Sequence, residues 1–137
     1  MLLGLHMGFR MLRSQGLIDR LPRLVASQAK NCSPLERYVA GKKARPTKPT
    51  LAEGVAVAKP PRVAEMAAAL DESRGRVYAA REERLIPAVE ACWREGIYVE
   101  PTSALGLTAL EDLAAEENLD GRKVVVVFTG SGLKFTG

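Results

Sequence analysis

The run Val124-Val125-Val126-Val127-Phe128 contains no polar residue, and it constrains the fold more than any other stretch of the chain. A continuous β-branched run without alternation predicts a strand covered on both faces, the pattern of a parallel sheet. Thr129-Gly130-Ser131-Gly132 follows at once, a hydroxyl running into a flexible turn. Open parallel sheets bind ligands at the carboxyl ends of their strands. Thr129 is therefore a candidate binding residue, and Gly130 and Gly132 would let a ligand approach the backbone closely. A plain glycine turn after a strand is the competing reading.

The rest of the chain alternates helices and strands in the way such a sheet requires. Leu5, Phe9 and Leu12 recur at helical spacing and Gly16 stops the run, which predicts a helix over 2–15. Leu2, Met7 and Met11 lie on its other face, so this helix is apolar nearly all round. The pattern predicts a strand over 23–29 and a helix over 34–41 with Ser33 as its cap and Pro34 at its first position. Pro60-Pro61 opens a helix whose Val63, Met66, Ala67 and Leu70 share one face, and residues 55–58 before it read as a strand or extended loop. Gly75 leads into a strand over 76–80. A helix carrying Leu85, Val89, Cys92 and Trp93 follows, and Pro87 requires it to start late or bend. Residues 97–99 are extended. Thr102 caps a further helix to about Glu117, with Leu107, Leu110 and Ala114 expected inside, and the last strand spans 124–129. The predicted class is α/β, a partial, mostly parallel sheet flanked by helices.

A chain of 137 residues fits one domain, and residues 42–50 form its only linker-like stretch, a proline- and lysine-rich loop. That loop holds most of the clustered positive charge but no aromatic residue for stacking on bases, so it reads as solvated and nucleic-acid binding is not expected. His6 is the sole histidine, and Cys32 and Cys92 stand far apart without a Cys-x-x-Cys context. Neither a zinc site nor a disulfide framework follows from that set. The arginines of the first helix come after its apolar residues instead of before them, unlike a signal peptide, and no stretch reaches the length of a membrane span. A soluble, cytoplasmic protein with reduced thiols is the expectation.

Three segments together resemble one enzyme family. Residues 4–35 (GLHMGFRMLRSQGLIDRLPRLVASQAKNCSPL), 97–110 (IYVEPTSALGLTAL) and 124–134 (VVVVFTGSGLK) look like the carboxyl-terminal part of threonine synthase. That enzyme is a pyridoxal-phosphate (PLP) protein of the tryptophan-synthase-β fold type, also called fold type II. The resemblance implies a PLP-dependent lyase of threonine biosynthesis that converts O-phosphohomoserine to threonine and phosphate. It implies that Thr129 faces the pyridine nitrogen of PLP and that Gly130 helps to make room for the ring; Gly54 reads either as backing onto the ring or as a plain turn glycine. A neutral hydroxyl there hydrogen-bonds the nitrogen without holding a full positive charge on it.

The same resemblance implies what else the enzyme needs. The family's Schiff-base lysine and the glycine-rich loop that cradles the PLP phosphate belong to an upstream segment, so 1–137 is expected to be a single carboxyl-terminal segment, inactive alone. Its expected partners are the amino-acid substrate and the amino-terminal portion of the same enzyme; homo-oligomer formation is left open. Two alternatives remain. Residues 50–60 (TLAEGVAVAKP) resemble threonine dehydratase as well, and Glu53-Gly54 lies closer to that pattern, whereas Thr129-Gly130-Ser131-Gly132-Leu133-Lys134 and YVEPTSA favour the synthase. A stand-alone, non-catalytic α/β module is the other. A segment cut from a larger subunit should also leave an apolar patch around Leu2, Leu5, Met7, Phe9 and Met11.

Overall fold

The computed structural model describes residues 1–134. Helix α1 spans Leu2–Ser14, strand β1 Val25–Ala29, helix α2 Pro34–Val39, helix α3 Val63–Glu72, strand β2 Arg76–Ala80, helix α4 Leu85–Arg94 and helix α5 Pro101–Glu116. Strands β1 and β2 pair in parallel, from Val25 opposite Arg76 to Ala29 opposite Ala80. This two-stranded ladder is the whole sheet among the described residues. Helices lie against it, as the α/β pattern predicts.

The alternation along each strand separates two layers of core. Ala26 and Val77 join the cluster of Leu24, Leu35 and Leu70, built with α2 and α3. One residue further on, Tyr78 points the opposite way and its hydroxyl donates to Glu116 at the end of α5, 2.9 Å away. Ala29 and Ala80 share that face and pack with Leu85 and Leu105. Small alanines on the strands let α5 settle close to the sheet. Burial and the Glu116 carboxylate together push the Tyr78 phenol up to about 12, so it stays neutral and a donor at physiological pH.

Local rules account for most helix boundaries. In α4, Pro87 falls in the first turn, where its missing N–H has no partner to lose, and a 3-10 turn at Glu82–Arg84 leads in. The helix starts late, as the proline requires. Ser33 precedes α2, but its hydroxyl donates to Glu36 at 2.9 Å, and the Glu36 N–H is satisfied by the Gln28 side chain at 3.0 Å. Helix α5 starts two residues earlier than Thr102 would allow as a cap: Glu100 takes the cap position and Pro101 the first turn. Its buried face is also not the expected one. Ser103, Ala104, Leu105, Thr108, Ala109 and Leu113 are buried, while Leu107 and Leu110 are half-buried and Ala114 is exposed. Two neighbours, the sheet and α4, cover α5 from different sides, so a single stripe does not describe it. Of residues 55–58, read as a strand or extended loop, Val55 ends a 3-10 turn over Glu53–Val55 and 56–58 are loop.

The largest departure is the valine run. Residues 124–129 join no ladder, and Val125 is 77% exposed where full burial was expected. β-branched residues favour an extended backbone, but burial on both faces needs a strand on each side and layers above and below. Among the described residues the run has only α4 and α5 to lean on. Phe128 packs against the cluster of Ala88, Val89, Cys92, Val99 and Ala104, and Val126 lies against Gly106.

Helix α1 bears out its all-round apolar reading in part. Leu2 and Phe9 pack with the α3 cluster, and His6 is buried beside Glu72. On the other side Leu5, Met7, Met11 and Leu12 are exposed. Two of the five residues expected in the patch are thus covered, because α3 supplies a partner for one face.

Candidate functional site

The site assembles on the first turn of α5, where two adjacent hydroxyls catch two distant loops. Thr102 accepts the N–H of Gly54 at 3.1 Å, across a separation of 48 residues. Ser103 accepts the N–H of Gly130 at 2.8 Å and that of Thr129 at 3.2 Å, and its own O–H donates to the Gly130 carbonyl at 3.2 Å. All three residues singled out in the sequence, Gly54, Thr129 and Gly130, therefore meet at one helix end. Thr129 is exposed, and its hydroxyl has no hydrogen-bond partner among the described residues.

The glycine turn is fixed from its other side by residues 97–99. Gly132 donates its N–H to the Tyr98 carbonyl at 3.0 Å, and Val99 and Ser131 form an antiparallel bridge. Trp93 clamps this segment by stacking on Tyr98, ring centroids 4.7 Å apart, and by donating its indole N–H to the Val99 carbonyl at 3.0 Å. A Cβ on Gly132 would come 2.7 Å from the Val99 carbonyl oxygen, a backbone atom that cannot step aside. Gly130 is different. A Cβ there would overlap the Glu100 carboxylate, the mobile end of a side chain. The space beside Gly130 is therefore occupied by a side chain that can swing away, and a ligand could take its place.

Sequence reasoning singled out Thr129, Gly130 and Gly132 from their position after the apolar run, but it passed over Ser103. Its signal was the Pro-Thr-Ser at the helix start: two hydroxyls in one first turn exceed what capping needs, since Glu100 and Pro101 already set the helix end. Burial pushes the thiols of Cys32 and Cys92 up, Cys92 further through the nearby Glu111 charge, which leaves neither a thiolate nucleophile. No hydrogen bond at the α5 junction involves a lysine. Among the described residues no three His, Cys, Asp or Glu side chains gather as a metal site. No helix among them is long and apolar enough to cross a membrane.

Comparison with known proteins supplies the context. A family model described as "Pyridoxal-phosphate dependent enzyme" matches residues 1–130. Threonine synthase 2, chloroplastic, of Arabidopsis thaliana is 36% identical over 137 residues, covering 96% of this chain and 27% of that protein. The threonine synthase of Mycobacterium leprae is 34% identical over 131 residues, covering 93% of this chain and 35% of the relative. That of Methanocaldococcus jannaschii is 31% identical over 134 residues, with 93% and 33% covered. The chain thus spans about a third of the length of these relatives, or less.

Proposed function

The chain belongs to the pyridoxal-phosphate dependent enzymes, and on that premise we propose that it is a segment of a threonine-synthase-like enzyme, contributing one wall of the cofactor site. The observation that carries the reading is the meeting of Gly54, Thr129 and Gly130 on the first turn of α5, with the Thr129 hydroxyl unspent. These residues fit one edge of the cofactor. The hydroxyl suits a pyridine nitrogen, and Gly130 leaves only a movable carboxylate beside the backbone. When bound, PLP supplies the electron withdrawal that lets protons and a leaving group depart from the substrate's carbon chain.

This chain's own residues orient and exclude. Ser103 binds the backbone on both sides of the Thr129–Gly130 peptide, so the threonine is positioned without using its side chain. Thr129 would hold the ring nitrogen, Gly130 would admit the ring, and Gly54 would lie behind it. The lysine that anchors the cofactor and the groups that cradle its phosphate would come from the rest of the enzyme, as would most contacts to O-phosphohomoserine. The product pair would be threonine and phosphate. Glu53-Gly54 supports a dehydratase-like reaction on the same fold, and product analysis separates the two: a dehydratase would release a keto acid.

Two measurements test the reading. The isolated chain, treated with PLP and borohydride, should give no stoichiometric adduct at a single lysine and no turnover. In the whole enzyme Thr129→Val should keep the fold and shift the cofactor's absorption, with turnover falling about tenfold to a hundredfold, the value of a buried acceptor left unpaired. An unaltered spectrum and rate in that variant would remove Thr129 from the site.

A further inference from the structure

The loop over 42–49 is exposed along its length, as expected, but it is pinned at several points. Asn31 donates its side-chain amide to the Pro49 carbonyl at 2.6 Å and accepts the Lys48 N–H on its own carbonyl at 3.0 Å. Arg45 donates to the Lys30 carbonyl at 2.7 Å, and Arg37 of α2 donates through Nε to the Lys43 carbonyl at 2.8 Å. Prolines 46 and 49 stiffen the loop between these anchors. Folded back over α2, it encloses a cleft of about 250 Å³ together with residues 58–60 and the start of α3.

The charge around this cleft is one-sided. Arg37, Lys42, Arg45 and Lys59 line it, and no carboxylate does. Of the chain's 20 basic residues four line the cleft, and of its 16 acidic residues none does. None of the four cations forms an ion pair among the described residues. Both arginines spend donors on carbonyl oxygens, which satisfies hydrogen bonds but leaves the charge uncompensated. Four like charges held around one hollow repel each other, and a loop pinned by several hydrogen bonds cannot relax that repulsion by moving apart.

We propose that this cleft binds a small phosphate monoester. A phosphate dianion would meet two lysine ammoniums and the free donors of two guanidiniums, the arrangement that recognises such groups most strongly. Thr47 and Tyr38 line the same space, as does Ser33, whose hydroxyl proton is already donated to Glu36. The volume lies below the range for drug-sized ligands, which points to a short carbon body. The proposal does not depend on the cofactor reading: it concerns residues 31–47 and 58–63, none of which is placed at the cofactor site.

Glycerol 3-phosphate is the probe, titrated calorimetrically into the full chain at fixed ionic strength, with glycerol and sodium chloride as controls. Saturable one-to-one binding is expected, competed by inorganic phosphate and absent for glycerol. Lys42→Gln with Lys59→Gln removes two ammoniums that hold no structural bond and should weaken binding about tenfold or more. Arg122→Gln with Lys123→Gln removes the same charge elsewhere and should change it less than twofold. Equal weakening by both pairs, heat no greater than chloride gives, or equally tight binding of a short RNA would overturn the proposal.

Discussion

Leu105→Ala should destabilise the chain by about 3–4 kcal/mol, measured as a lowered urea midpoint at unchanged slope. Leu105 is fully buried and packs with Ala29, Ala52, Ala80 and Leu85. Three of those four neighbours are alanines, with no side chain able to swing into the space left, and beyond them, among the described residues, only Val55 packs on the cluster, from its partly buried edge. Their backbones are held in place as well, Ala29 and Ala80 by the ladder itself and Ala52 by its N–H donated to the Thr50 hydroxyl at 3.1 Å. A cavity at this point should stay open, which keeps the loss well above the lower end of the usual range for leucine truncations. A loss under about 1.5 kcal/mol would mean that α5 is free to settle onto the sheet. The effect reaches the site, because Ala52 precedes the 3-10 turn that carries Gly54.

The elements legible in the sequence were those whose neighbours all gather on one face. Val63, Met66, Ala67 and Leu70 define one face of α3, and that face meets the α1–β1 cluster. Helix α5 has neighbours on two sides, so its leucines divide between them and small residues such as Ser103 and Thr108 take the most buried positions. No hydrophobic stripe announces that. The valine run shows a different limit. A β-branched sequence specifies extended backbone, while pairing depends on which strands are present to receive it, and Val125 stands exposed. At the candidate site, Thr129 and the glycines were legible because backbone freedom leaves a mark in the sequence. Ser103 was not: a serine in a helix's first turn reads as part of its cap, and only the fold brings residues 129 and 130 to its hydroxyl.

The junction between α3 and β2 carries the sharpest test of backbone packing. After Glu72 the helix closes with the Gly75 N–H on the Leu70 carbonyl at 2.6 Å and the Arg74 N–H on the Asp71 carbonyl at 2.9 Å, the paired bonds of a Schellman motif. Glycine normally takes the left-handed position of that motif, but here Arg74 does, at a φ of 53°. The glycine stands one residue later because a Cβ on Gly75 would overlap the carbonyl oxygen of Leu24. That oxygen cannot retreat cheaply, since it accepts the Arg76 N–H at 3.1 Å and so forms the first bond between the two strand starts. Leu70 Cδ2 and Ser73 Oγ close the other sides at 3.0 and 3.1 Å. Gly75→Ala should therefore cost about 3 kcal/mol, the upper range for forcing a methyl into a packed site. Arg74→Gly should do the opposite and gain up to about 1 kcal/mol, because it relieves a left-handed non-glycine residue. Urea unfolding of the two variants side by side decides the matter. If Arg74→Gly proved the more damaging, the glycine at 75 would be serving chain flexibility and not the close passage of β1 over the end of α3.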